Sequence, residues 1–273
     1  MDNSEPGRWA LWLSIPLAVL LAISSVAGVF LPSIYAKETR LVATLNAGGD
    51  ALNLIVVMPV LLAGAMLASR SSLRALLVWT SALVYLLYDY IYYALSLHFN
   101  AMFLVYCGVL GLSFYALVGS VAALPIQEVA QRFGPRAPVK TTAVVLLLMG
   151  LGTIFHWLSE SIPALLAGRV PQTVLDSGQS TEAVAVLDLA FGAPASLIAA
   201  ILLLWRKPLG FVLAPVLLTF LVLSSLGLAS MGTLMAMRGF KTGFGLFAIA
   251  LGLAGGSAVL LALFLRGGRK AQA

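Results

Sequence analysis

The sequence predicts an all-α polytopic membrane protein with eight transmembrane helices, arranged as two parallel four-helix repeats. Three observations carry that reading. Hydrophobic residues make up 61% of the 273 and charged residues only 10%, against about 45–50% and about 25% in soluble domains. Eight apolar runs reach the length of about 20 residues that a bilayer core requires. The third is an echo. Asn53 is followed by Pro59, an apolar run and a basic stop at Arg70 to Arg74; Asp188 is followed by Pro194, an apolar run and a basic stop at Arg206-Lys207, an offset of 135.

The runs cover about 9–31, 47–68, 73–97, 101–124, 141–163, 182–205, 209–236 and 242–265. The first is too apolar and too long for a cleaved leader, with only Arg8 set against Asp2 and Glu5, so it reads as a retained span with Pro16 as a kink. Residues 98–100 leave room for a tight turn only, which makes spans three and four an antiparallel hairpin. In 125–140, Ile126, Val129 and Phe133 share a face opposite Glu128, Gln131 and Arg132, as in a short helix on the membrane surface, and a Pro/Gly hinge follows. That hinge divides the chain into 1–133 and 134–273, four spans each. Gly119-Ser120 against Gly256-Ser257 adds a second echo. Four spans per half give parallel repeats about an axis along the membrane normal.

Charge sets the orientation. Arg8, Arg70, Arg74, Arg132, Arg136, Lys140, Arg206, Lys207, Arg266, Arg269 and Lys270 fall on one side, and Lys37, Arg40, Arg169, Arg238 and Lys241 on the other. Eleven against five places both termini in the cytoplasm. The net charge of +6 is thereby a matter of topology, and nucleic acid drops out as a partner. The single cysteine, Cys107, lies within an apolar run and reads as a buried, inert thiol, with no disulfide open to it.

Ionisable residues in lipid are costly, and each is a site hypothesis. Here they are Asp89, His156, Glu160 and Asp188, with Asp50, Asn53, His98 and Asn100 near span ends. With the orientation above, they all fall in the outer half of the membrane. Tyr85, Asp89 and Tyr92 share a stripe with Ser81 and Ser96, and His156 and Glu160 stand at i,i+4. The ligand-binding set is Asp89, Asp188, Glu160, His156, Tyr85, Tyr92 and Asn53, poised for a small cationic or proton-coupled solute in an outward-facing pocket. Other readings stay open. One is an accessory subunit with paired polar groups, Asp188 with Arg169 or Arg238 among them. Another is a membrane enzyme with a metal on His156, Glu160 and Asp188, and a last one is haem between His98 and His156. No nucleotide motif, retinal lysine or voltage-sensor helix is present, the cofactor is unknown, and neither the ligand nor the oligomeric state is legible. Lipid is the one certain partner. The glycines of spans four and eight, Gly108, Gly111, Gly119, Gly245, Gly252, Gly255 and Gly256, suit close helix packing.

The stretches Trp157-Leu158-Ser159-Glu160, Leu187-Asp188-Leu189-Ala190-Phe191 with Pro194, and Leu204-Trp205-Arg206-Lys207-Pro208-Leu209-Gly210 resemble those of bacterial multi-pass membrane proteins of no assigned activity. The resemblance, confined to 157–210, implies a place in the bacterial cytoplasmic membrane and carries no activity with it.

Overall fold

The computed structural model describes residues 6–241 and 243–266. Asp2, Glu5, Arg269 and Lys270 lie outside them. Among the described residues there is no strand. The helices are α1 (Pro6–Phe30), α2 (Arg40–Leu52), α3 (Met58–Ala68), α4 (Leu73–Ser96), α5 (Phe103–Ala123), α6 (Ile126–Phe133), α7 (Val139–Leu166), α8 (Gln172–Ser177), α9 (Ala183–Leu187), α10 (Ala193–Leu204), α11 (Pro208–Met237) and α12 (Gly243–Leu265). A π-helical turn, Asn53–Val57, joins α2 to α3, and another, Asp188–Gly192, joins α9 to α10. Counting each joined pair as one, eight of the described helices are long and apolar enough to cross a membrane. The chain is a multi-pass integral membrane protein.

Two spans run longer than their apolar cores suggest. The second begins at Arg40, where the Thr39 side chain accepts from the Val42 N–H at 3.3 Å, which satisfies one of the orphan donors at a helix start. Its first turns hold Thr44, Asn46, Gly48 and Asp50, all buried against protein, so low hydropathy there does not end the helix. The fifth continues past Pro163 to Leu166. In lipid a backbone group freed by a proline has no water to turn to, so the ladder resumes as soon as it can.

The chain forms two compact units: residues 1–124 with 218–258, and 125–217 with 259–273. In the first, α4 lies among the most buried spans. Trp79, wholly buried, donates to Ser14 Oγ at 2.8 Å and meets Trp9 edge to face at 5.4 Å. Gly64 lets α3 lie on Trp79, since a Cβ there would stand 3.0 Å from the Trp79 Cβ. Thr80 pairs with Ser120, tying α4 to α5.

In the second unit α7 and α10 pack side by side, with Gly150 against Leu197 and the Ala193 carbonyl. The Val129 and Phe133 side of α6 is fully buried, while Ile126 stays more than a third exposed. So the apolar face expected to lie on the membrane surface is mostly covered by protein. Two further expectations need correcting. Cys107 sits on the exposed side of α5 and is not buried in protein. A Cβ at Gly111, Gly245, Gly252, Gly255 or Gly256 would meet nothing within 4 Å, so the close packing expected of the span-eight glycines is not made among the described residues.

Candidate functional site

In the first unit, polar groups converge where α1, α2, α4 and α5 meet. Asp50, on the last turn of α2, has no exposed surface. Its Oδ2 accepts from the Tyr35 phenol, brought in by the short 3-10 turn Pro32–Tyr35, while its Oδ1 has no partner. Gly28 of α1 lies directly on the carboxyl: a Cβ there would stand 2.6 Å from Asp50 Cγ and 2.7 Å from the Tyr35 hydroxyl. One turn further, Asn53 Nδ2 donates to Asp89 Oδ2 at 2.9 Å. The Asn53 amide oxygen is buried without a partner.

Phenols surround this pair of carboxyls. Tyr93 donates to the Asn46 carbonyl at 3.1 Å, and Tyr90 to Ser24 Oγ at 3.0 Å. The Tyr90 and Tyr93 rings stack at 5.2 Å, and Tyr106 meets both edge-on at 6.0 and 5.4 Å. Tyr85 is buried beside Phe220 at 6.2 Å, and Tyr92, half-buried, meets Tyr93 at 6.0 Å. Burial above all, with Asp50 beside it, holds the Tyr35 phenol well above its ordinary titration range, so it remains a donor. Among the described residues no lysine, arginine or histidine forms an ion pair with Asp50 or Asp89.

The basic groups at this end of the unit are engaged elsewhere. Arg238 donates to Thr44 Oγ1 at 2.9 Å, and Arg40 donates to the Arg238 carbonyl at 2.6 Å while lying over the Phe240 ring. His98 donates its backbone N–H to Glu38 at 2.7 Å, its ring Nδ1 stands 3.1 Å from the same carboxylate, and Lys37 caps the Phe99 carbonyl at 3.0 Å. These contacts pin the loop bearing Tyr35 to the turn between α4 and α5.

The remaining predicted residues belong to the second unit. Trp157 Nε1 donates to Asp188 Oδ2 at 2.8 Å, where Asp188 opens the π turn. Glu160 accepts from both the backbone N–H and the hydroxyl of Thr173 at 3.0 Å each. His156 is exposed, and its ring lies tilted against Trp157 at 4.8 Å. The i,i+4 spacing of His156 and Glu160 therefore yields no ion pair. No group of three His, Cys, Asp or Glu among the described residues converges as a metal site. Burial first, then Glu160, raises the Glu182 carboxyl above its ordinary value, with Thr173 offsetting part of the rise. A raised carboxyl pKa destabilises the fold once the group is ionised. Glu182→Gln is expected to raise Tm at pH 7 by about 1–2 °C, and to lose that advantage as pH falls below the ordinary glutamate range. Thermal melts from pH 4 to 8 measure this.

Sequence reasoning brought Asn53, Asp89, Tyr85 and Tyr92 to the cluster in the first unit but left Asp50 at a span end. The signal was the Thr39 cap: a helix begun at Arg40 carries Asp50 well inside the span.

These features define a class: a polytopic integral membrane protein with one sealed and one half-buried carboxyl inside one of its units. No protein-family model matches the chain, and no curated protein or solved structure matches it either.

Proposed function

We propose that this protein binds and transports a small cationic or proton-coupled solute, with Asp89 as its anchor and Asn53, Tyr85 and Tyr92 around it. The observation that carries this reading is the pair Asp50 and Asp89, two carboxyls within apolar spans with no basic partner among the described residues. A buried charge needs a counter-charge, and an intramembrane carboxyl facing protein is the usual mark of a solute or ion path. Asp89 is only half-buried, which leaves it the accessible member. The protein is placed in the bacterial cytoplasmic membrane with both termini inside and the cluster in its outer half, as the charge bias implies. Asp188, Glu160 and His156 form the polar group of the second unit, and the duplication of the halves belongs to the same proposal, supported by two π turns that begin at Asn53 and Asp188.

The test is uptake into proteoliposomes of the purified protein, over a panel of small organic and inorganic cations and over an imposed proton gradient. Asp89→Asn is expected to lower uptake at least about tenfold while Tm stays within a few degrees of wild type. Unchanged uptake in a folded Asp89→Asn protein would refute the reading. A second reading, an accessory subunit, is favoured by the open glycine face of α12; it gains if no cation is taken up and a partner chain is recovered on that face.

A further inference from the structure

Asp50 and Asp89 are different kinds of group. Asp89 is half-buried and held by an amide, whereas Asp50 is sealed. Gly28 presses on its carboxyl, and Gly49 admits the Tyr93 hydroxyl to 3.2 Å of where a Cβ would be. Tyr35, Tyr90, Tyr93 and Tyr106 close the surroundings, none more than 4% exposed. A solute with a carbon skeleton has no place there.

The same spot is nevertheless short of positive charge and of hydrogen bonds. Asp50 Oδ1, Ser25 Oγ and the Tyr106 hydroxyl are buried without partners, as is Asn53 Oδ1 one turn along α2. Ser25 and Tyr93 stand close to the Asp50 carboxyl. From α1 the carboxyl is faced by Ser25 and Gly28, from the 3-10 turn by Tyr35, and from α4 by Tyr93 and, at longer range, Asp89. No lysine, arginine or histidine is among them. An unpartnered carboxylate oxygen in so dry a place costs several kcal/mol, so an occupant that satisfies it is strongly favoured. The oxygens named are one carboxylate and neutral groups, a set suited to a hard cation. One carboxylate balances one charge, and the tight packing selects a small ion.

We infer that Asp50, with Ser25 and the neighbouring buried oxygens, forms a second site that takes a bare alkali cation of sodium's size, separate from the solute anchor at Asp89. The inference rests on reading the cluster as one that recognises positive charge. Tyr35 occupies Oδ2 and leaves Oδ1 for the ion.

Thermal unfolding of the full chain in detergent tests it, in sodium, potassium or choline chloride at equal ionic strength and fixed pH. Sodium is expected to raise Tm of the wild type by several degrees, saturably, as a ligand of the folded state must. Asp89→Asn should keep the effect and Asp50→Asn should lose it. Should Asp50→Asn fail to fold, Ser25→Ala reports instead, with the half-saturating sodium concentration raised about tenfold. Equal stabilisation by all three salts, or a sodium effect untouched by both Asp50→Asn and Ser25→Ala, overturns the inference. In that event a persisting uptake defect in Asp89→Asn leaves the proposed function standing, and its absence removes both.

Discussion

Gly28→Ala is expected to lower Tm by about 5–10 °C and to unseat Tyr35 from Asp50. The added methyl would overlap the carboxyl and reach 2.7 Å from the Tyr35 hydroxyl. Neither neighbour is the free end of a flexible side chain, because both sit in a fully packed corner. Overpacking of this kind costs about 1–3 kcal/mol. Losing the phenol's bond to a buried carboxyl adds about 1–3 kcal/mol. Detergent melts measure the sum, and a double substitution identifies the cause. Asp50→Gly removes the obstructing group, so Gly28→Ala/Asp50→Gly should be more stable than the sum of its single variants predicts. Strict additivity would mean that the methyl does its damage elsewhere.

Gly48→Ala should cost a comparable amount for a different reason. A Cβ at Gly48 would stand 2.7 Å from Met231 Cα and 2.9 Å from its backbone nitrogen, where Ser230 also donates to the Gly48 carbonyl at 2.6 Å. The obstacle is main chain, so the helices themselves must part. A loss of about 2–4 kcal/mol is expected, together with weakened Asp50 chemistry two residues on. Gly245→Ala is the control. Its Cβ meets nothing, and alanine favours helix over glycine by about 1 kcal/mol, so its Tm should hold or rise. A fall at Gly245 with none at Gly48 would contradict the packing described.

The contrast between these glycines shows what sequence conveys here and what it withholds. Hydropathy reveals that a segment crosses the membrane because lipid demands an apolar surface all along it. It does not say which side of a helix meets protein, since lipid and protein interior are equally apolar. Hence Gly48 and Gly245 look alike in sequence and differ in consequence, and Cys107 read as buried in protein when it is on an exposed side. The eight spans were legible, as was the short helix at Ile126–Phe133. Asp50 was discounted because a hydropathy window cannot register a polar turn that protein will cover. The link from Tyr35 to Asp50 was beyond reach, because it depends on how a loop folds back over the bundle. The pairing of Asp188 with Trp157 was hidden for a related reason: indole is apolar in every scale yet carries a donor.

The π turns at Asn53–Val57 and Asp188–Gly192 have one more consequence, for how these helices tolerate changes in length. A π turn holds one residue more than the α ladder needs, and each residue accounts for about 100° of rotation. Removing one residue from 53–57 would restore an unbroken ladder and leave the faces before and after it in nearly their present relation, because the wide turn already absorbs the surplus. Asp50 would keep its place on Gly28, whereas a residue removed from the regular ladder of α2 would turn the faces by about 100°. The surplus residue is thus spare length, held one turn from the Asp50 carboxyl. In the other helix the surplus begins at the carboxyl itself, Asp188.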